Sequence, residues 1–348
     1  MNSLNPKLFD KDVERIPSRD GFGEGLVLAG EENKDVVAIC ADVTESARVQ
    51  AFKDKFPERF IEAGVAEQNM AALASGMAAE GKIPFMTSYA VFSPGRNWEQ
   101  IRTTICYNNR PVKIIGSHAG ISVGPDGATH QALEDIALTR ALPNMVVLSP
   151  CDAIEAKKAT LAMVKERKPC YMRLSREKVP VITTENTPFK IGKAQVFREG
   201  NPSAGSTSSL QASSGRFADA TIIATGQMVY LGLLAAKELE ESNISVRVIN
   251  VSTIKPLDME AVIKAAEETG GIVTVEEHQV FGGLGSAVAE VVTQYYPVPM
   301  KIIGINDHFG ESGICRFNLV KEQFWEIYLR YFCTNFRGNP LPVCLKKP

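Results

Sequence analysis

IEAGVAEQNM, residues 61–70, sets a single carboxylate among small and apolar side chains. Gly64 marks a turn. Residues 66–80, AEQNMAALASGMAAE, are rich in strong helix formers, so Glu67 stands where the turn gives way to a helix. A carboxylate facing Ala, Val and Met neighbours is expected to be partly desolvated and to keep its proton, the property of a general acid. The ordinary alternative is a first-turn glutamate complementing the helix dipole.

Outward from this segment, apolar runs at 36–40, 84–88, 112–117, 145–148 and 169–174 read as strands. Stretches 66–80, 97–106, 132–141 and 152–167 read as helices. Such alternation predicts an α/β protein built on parallel sheets. Residues 201–215, NPSAGSTSSLQASSG, have little to bury and read as an exposed or disordered loop. A second series follows: strands 220–225, 245–250, 272–276 and 300–305, with helices 228–242, 258–268, 285–294 and 316–331. The expected organisation is a first domain over 1–188, a linker over 189–217, a second domain over 218–332 and a tail over 333–348.

Composition narrows the function class. With 348 residues, 45% hydrophobic and 22% charged, the chain can bury a large core. A net charge of -2 gives no electrostatic pull toward nucleic acid or a membrane surface. No apolar run approaches spanning length, and the first twenty residues do not read as a signal peptide. Seven scattered cysteines without a CxxC pair fit a reducing, cytoplasmic setting and predict neither a disulfide frame nor a zinc site.

Candidate chemistry gathers at the ends of the expected strands, where open parallel sheets bind ligands. SHAGISVGPDGATHQALED, residues 117–135, puts His118 at a strand end, Asp126 in a Gly/Pro turn and His130 before a helix. Two imidazoles and a carboxylate can donate to, accept from or protonate a polyol or carbonyl oxygen. A metal site would need a third soft ligand, and a purely structural loop is an equal alternative. Tyr89 and Phe92, in TSYAVFSPGR, offer flat faces to a planar ring, though core packing is the commoner role. Arg19 and Arg176 suit a phosphate group. The turn in EEHQVFGGLGSAVAE, residues 276–290, could cradle phosphate on backbone amides but reads as tight packing.

Taken in order, VAEQNMAALASG, TSYAVFSPGR, SHAGISVGPDGATHQALED, LSREKVP, EEHQVFGGLGSAVAE and HFGESG resemble the C-terminal half of the transketolase family, from about residue 19 to 331. The resemblance implies a pyrimidine-binding domain followed by a transketolase C-terminal domain, with thiamine diphosphate as cofactor. It matches Glu67 to the glutamate that hydrogen-bonds N1′ of the aminopyrimidine, favouring the imino tautomer that takes the thiazolium C2 proton. Phe92, with Tyr89 beside it, matches the aromatic stacked on the pyrimidine, and Asp42 an aspartate near the thiazolium. Arg19, Ser46, His118 and Arg176 match the grip on a sugar phosphate. Asp126 and His130 match the residues that read substrate hydroxyls and help move protons.

The family's Mg²⁺ and diphosphate motif, GDG followed by asparagines, has no counterpart: Gly124–His130 lacks the downstream pair, and Asn108–Asn109 lies upstream. The resemblance therefore implies a split transketolase whose N-terminal partner subunit holds Mg²⁺ and the diphosphate, in an α2β2 assembly acting on sugar phosphates. Three alternatives stay open: a 1-deoxyxylulose-5-phosphate synthase-like chain, the β subunit of a 2-oxo acid dehydrogenase, and a non-catalytic sugar-phosphate-binding protein.

Overall fold

The computed structural model describes residues 3–200 and 217–313. The expected loop at 201–215, helix at 316–331 and tail at 333–348 lie outside them.

Strands of continuous apolar sequence form the centres of two sheets, because parallel strands covered on both faces have no polar side to show. The larger sheet has seven strands in the order β12-β6-β7-β5-β4-β2-β3. These are β2 (Val36–Cys40), β3 (Phe60–Glu62), β4 (Ile83–Tyr89), β5 (Lys113–Ser117), β6 (Val146–Leu148), β7 (Cys170–Arg173) and β12 (Thr253–Lys255). All pair in parallel except β12, which runs antiparallel to β6. A short ribbon of β1 (Arg15–Pro17) and β8 (Lys178–Pro180) closes one side. The second sheet orders β14-β13-β10-β11-β9, namely β9 (Gln195–Arg198), β10 (Ala220–Ala224), β11 (Val246–Asn250), β13 (Ile272–Gln279) and β14 (Met300–Ile305).

Helices α1 (Ser18–Glu32), α2 (Gln50–Lys55), α3 (Glu67–Ala79), α4 (Trp98–Gln100), α5 (Asp135–Arg140) and α6 (Ala153–Lys165) surround the first sheet; α7 (Met228–Glu241), α8 (Met259–Glu268) and α9 (Leu284–Tyr295) surround the second. Two expected helices differ. The helix at 97–106 passes from α4 into a π-helical stretch, Ile101–Cys106, where Thr103 and Thr104 hydroxyls donate to carbonyls one turn back. The helix expected from 132 begins only at Asp135. Ala132 is spent on a bridge to Ala119, and the Leu133 carbonyl accepts from Gln279 N.

Helix α1 was not expected, since Gly21, Gly23, Gly25 and Gly30 lower helix propensity. Its glycines face close neighbours: a Cβ on Gly21 would lie 1.8 Å from the Ala153 carbonyl oxygen of α6. Asp152 caps α6 by accepting from Glu155 N at 2.9 Å, and its other oxygen accepts from Ile182 N and Thr183 N.

The two sheets meet behind the 118–134 loop. Asp135 pairs with Arg173 at 3.0 Å and accepts from the Tyr171 hydroxyl at 2.6 Å. Arg173 also donates to the Glu277 carbonyl at 2.7 Å. The Glu277 carboxylate at the end of β13 accepts from Ser122 N at 2.7 Å and from Gln227. Gly120 has φ +84°, and a Cβ there would meet that carboxylate at 2.4 Å, so only glycine fits. Among the described residues, no helix is long and apolar enough to cross a membrane.

Candidate active site

Four adjacent parallel strands, β7, β5, β4 and β2, end on one edge, and each hands its next residues to the site. β2 is followed by Asp42 and Ser46, β4 ends on Tyr89 and leads to Phe92, β5 leads to His118, and β7 leads to Ser175 and Arg176. Arg19 arrives on the first turn of α1, which the Ser18 and Ser175 hydroxyls tie to the end of β7 at 2.9 Å. Asp42, Arg48 and His118 take positive φ values of 58°, 64° and 58°. Such conformations are costly for non-glycine residues and cluster where a fold over-determines them.

Arg19, Ser46, Tyr89 and His118 form one hydrogen-bonded group. Arg19 Nη1 donates to the Ser46 carbonyl at 2.7 Å and to His118 Nε2 at 3.1 Å. The Tyr89 hydroxyl donates to Ser46 Oγ at 3.0 Å, and the Tyr89 ring stacks on His118 with centroids 3.9 Å apart. A guanidinium only donates, so His118 Nε2 accepts, and the ring proton sits on Nδ1, 2.8 Å from Ser117 Oγ. Burial, then the charges of Arg19, Arg176, Arg48 and His130, push the His118 pKa down to about 3. Burial likewise lowers that of Arg19, reinforced by Arg48 and Arg176 and opposed by Asp20. The corner is thus a concentration of positive potential, held around a neutral imidazole. It suits an anion.

The Phe92 ring lies 6.2 Å from Tyr89 and 5.5 Å from His130, edge-on to the latter. His130 Nδ1 is 2.9 Å from the Thr129 hydroxyl. Glu67 opens α3 and is 2% exposed. Its surroundings are not wholly apolar as expected: Arg96 Nη1 donates to Glu67 Oε2 at 2.7 Å, and the same guanidinium lies 4.6 Å from the centroid of Phe92. Asn97 Nδ2 donates to the Glu67 carbonyl at 3.0 Å, fixing the start of α3.

Asp42 and Asp126 stand exposed on the same edge without a side-chain contact to this group. The Asp42 amide donates to Glu62 Oε1 at 2.8 Å, and the Asp126 carbonyl accepts from Thr129. Arg176 reaches the loop instead, donating to the Val123 carbonyl. Arg48, Arg96, Ser117 and Glu62 were not anticipated. Arg96 closes the quoted block TSYAVFSPGR, four residues after Phe92, and that proximity was its one signal.

In the glycine-rich turn before α9, three amides are already engaged, Gly282 N donating to the Ser286 hydroxyl at 2.8 Å. Glu276 accepts from Leu284 N and Gly285 N, both at 2.7 Å. Among the described residues, no three His, Cys, Asp or Glu side chains converge as a metal site, and Cys40, Cys106, Cys151 and Cys170 are free and buried.

The chain is similar to known proteins along most of its length. The transketolase pyrimidine-binding domain matches residues 14–181, and the transketolase C-terminal domain matches residues 214–315. A protein of Methanocaldococcus jannaschii, provisionally named a transketolase C-terminal section, is 42% identical over 85% of this chain and 88% of its own length. A 6-deoxy-6-sulfo-D-fructose transketolase subunit of Clostridium sp. is 38% identical, over 91% of this chain and 92% of its own. A solved structure described as a split-gene transketolase in an inactive beta4 tetramer superposes with a TM-score of 0.77 at 40% identity, covering 89% of this chain and 93% of that one. The chain belongs to the transketolase family, as a C-terminal subunit of the split type.

Proposed function

We propose that this chain, paired with an N-terminal transketolase subunit in a cytoplasmic α2β2 assembly, transfers a two-carbon ketol unit from a ketose phosphate to an aldose phosphate. The observation that carries the reading is the convergence, on one sheet edge, of buried Glu67, the Phe92 ring and the Arg19–Ser46–Tyr89–His118 group.

A buried carboxylate beside an aromatic face fits an aminopyrimidine, which needs one hydrogen-bonding acid and one stacking surface. The residues present fit that end of thiamine diphosphate, whose diphosphate and Mg²⁺ are assigned to the partner. When bound, the cofactor supplies a nucleophilic carbon and a sink for negative charge. Glu67 would then hold a proton at N1′ and Phe92 and Tyr89 would orient the ring, while Asp42 is assigned to the thiazolium side by the resemblance alone. Arg19 and Arg176, with Ser46, hold the sugar phosphate, and His118 keeps Arg19 aimed by accepting its N–H. Asp126 and His130 read the hydroxyls of the reacting end, with His130 moving protons there.

The test is reconstitution. Mixed with its N-terminal partner, thiamine diphosphate and Mg²⁺, the chain should turn over xylulose 5-phosphate with ribose 5-phosphate, and not pyruvate. The chain alone should be silent. Turnover by the chain alone overturns the split site, and preference for pyruvate overturns the substrate class. Because one relative is named for a sulfonated sugar, 6-deoxy-6-sulfofructose belongs in the same panel.

A further inference from the structure

Arg96 has no part in the mechanism above, yet it touches both groups assigned to the aminopyrimidine. Its Nη1 donates to Glu67 Oε2 at 2.7 Å, and its guanidinium carbon lies 4.6 Å from the Phe92 ring centroid. A guanidinium is flat and delocalised, and it carries N–H donors in its plane. Set against an aromatic ring while donating to a carboxylate, it makes the same pair of contacts that an aminopyrimidine would make there. The two partners are unequally held. Glu67 is fixed in the helix start at 2% side-chain exposure, whereas the Arg96 side chain is 48% exposed and can leave into solvent without losing a buried site.

We propose that Arg96 is a placeholder for the aminopyrimidine: it covers Glu67 and Phe92 in the cofactor-free chain, leaves when thiamine diphosphate binds, and thereby sets cofactor affinity. The inference rests on the assignment of Glu67 and Phe92 to the pyrimidine. It follows that binding must break the Arg96–Glu67 pair. Removing the arginine raises the free energy of the cofactor-free state, where Glu67 loses its partner, and leaves the bound state unchanged.

The experiment is a titration of thiamine diphosphate, at fixed Mg²⁺, into the chain reconstituted with its N-terminal partner, followed by fluorescence and near-ultraviolet circular dichroism. Arg96→Met should bind the cofactor about fivefold tighter, the factor that about 1 kcal/mol represents for a half-exposed pair. Its cofactor-free chain should melt lower than the wild type, while the saturated complexes melt together. Arg96→Lys keeps the charge but lacks the planar guanidinium set against Phe92, and should bind about twofold tighter. It also serves where the Met variant fails to fold. Unchanged or weaker affinity in these variants overturns the placeholder, because it makes Arg96 either a bystander or part of the bound site. Glu67→Gln and Phe92→Ala separate the two levels of the argument. Both should weaken cofactor binding, and if neither does, the pyrimidine assignment itself fails, whatever Arg96 shows.

Discussion

Lowering the pH from 7 to 5 should destabilise this protein through His118, and His118→Gln should remove that part of the acid sensitivity. The imidazole is 2% exposed, and burial together with Arg19, Arg176, Arg48 and His130 pushes its pKa down to about 3. In the unfolded chain the ring titrates near its ordinary value of about 6.5. Between these values the unfolded state binds a proton that the native state refuses, so stability falls as the pH falls from about 6.5 toward 3. The penalty is about 0.2 kcal/mol at pH 7 and about 2 kcal/mol at pH 5, a difference of about 2 kcal/mol. A glutamine amide can accept from Arg19 and donate to Ser117 Oγ without titrating. Urea unfolding of both proteins at both pH values isolates the term, because every other titrating group is shared by the pair. The wild type should lose about 2 kcal/mol more than the variant on going to pH 5. Equal losses, or a His118 ring that NMR finds titrating above pH 6, would refute the reasoning.

Four further outcomes are expected. Glu67→Gln in the reconstituted enzyme should lower kcat by about 10²-fold or more while the chain stays folded by circular dichroism, the loss typical of removing a positioned acid. Arg19→Met should raise KM for a phosphorylated donor by about 10–100-fold, the worth of a charge-assisted hydrogen bond, and leave the unphosphorylated ketose unaffected in steady-state assays. Asp135→Ala strands the buried Arg173 guanidinium and should cost about 3–5 kcal/mol in chemical denaturation, and adding Arg173→Met should not restore it, because the Tyr171 hydroxyl and the Glu277 carbonyl stay buried without their partners. Gly21→Ala drives a Cβ into the Ala153 carbonyl and should cost about 1–3 kcal/mol by the same measurement, since neither backbone can yield without parting α1 from α6.

The strands that build the site edge were legible because burial on both faces makes a parallel strand a continuous apolar run, as in Val36–Cys40 and Ala220–Ala224. A polar residue directly after such a run stands out, which is why His118 and Tyr89 could be picked from sequence. Helix α1 was not legible. Its four glycines erase local helix signal, and what they serve, the approach of α6 and of the Arg48 carbonyl, is a contact between distant segments. Strand β12 is three residues long, and its pairing is decided by β6, more than a hundred residues away. Arg48 and Arg96 look like any loop arginine until the fold sets them beside His118 and Glu67. The turn before α9 shows the converse: its glycines advertise free amides, and only the structure shows Glu276 already holding those of Leu284 and Gly285.

The two ends of the site differ in how completely this chain prepares them. At the anion end, three strand ends and the start of α1 contribute groups that bond to one another: Arg19 to Ser46 and His118, Tyr89 to Ser46, and His118 to Ser117. Ordering these side chains is accomplished by folding, so a phosphate meets them without further loss of side-chain freedom. At the pyrimidine end the carboxylate is equally well fixed, but the group it holds is a half-exposed arginine from its own chain. If the proposed function and the Arg96 proposal both hold, a rigid anion subsite lies beside an exchangeable cofactor subsite, the division of labour expected of a subunit whose substrate recognition is intrinsic and whose chemistry waits for assembly. Under that proposal, the partner's arrival would matter chiefly at Glu67, where a diphosphate anchored on the other chain would tether the flat ring that displaces the Arg96 guanidinium.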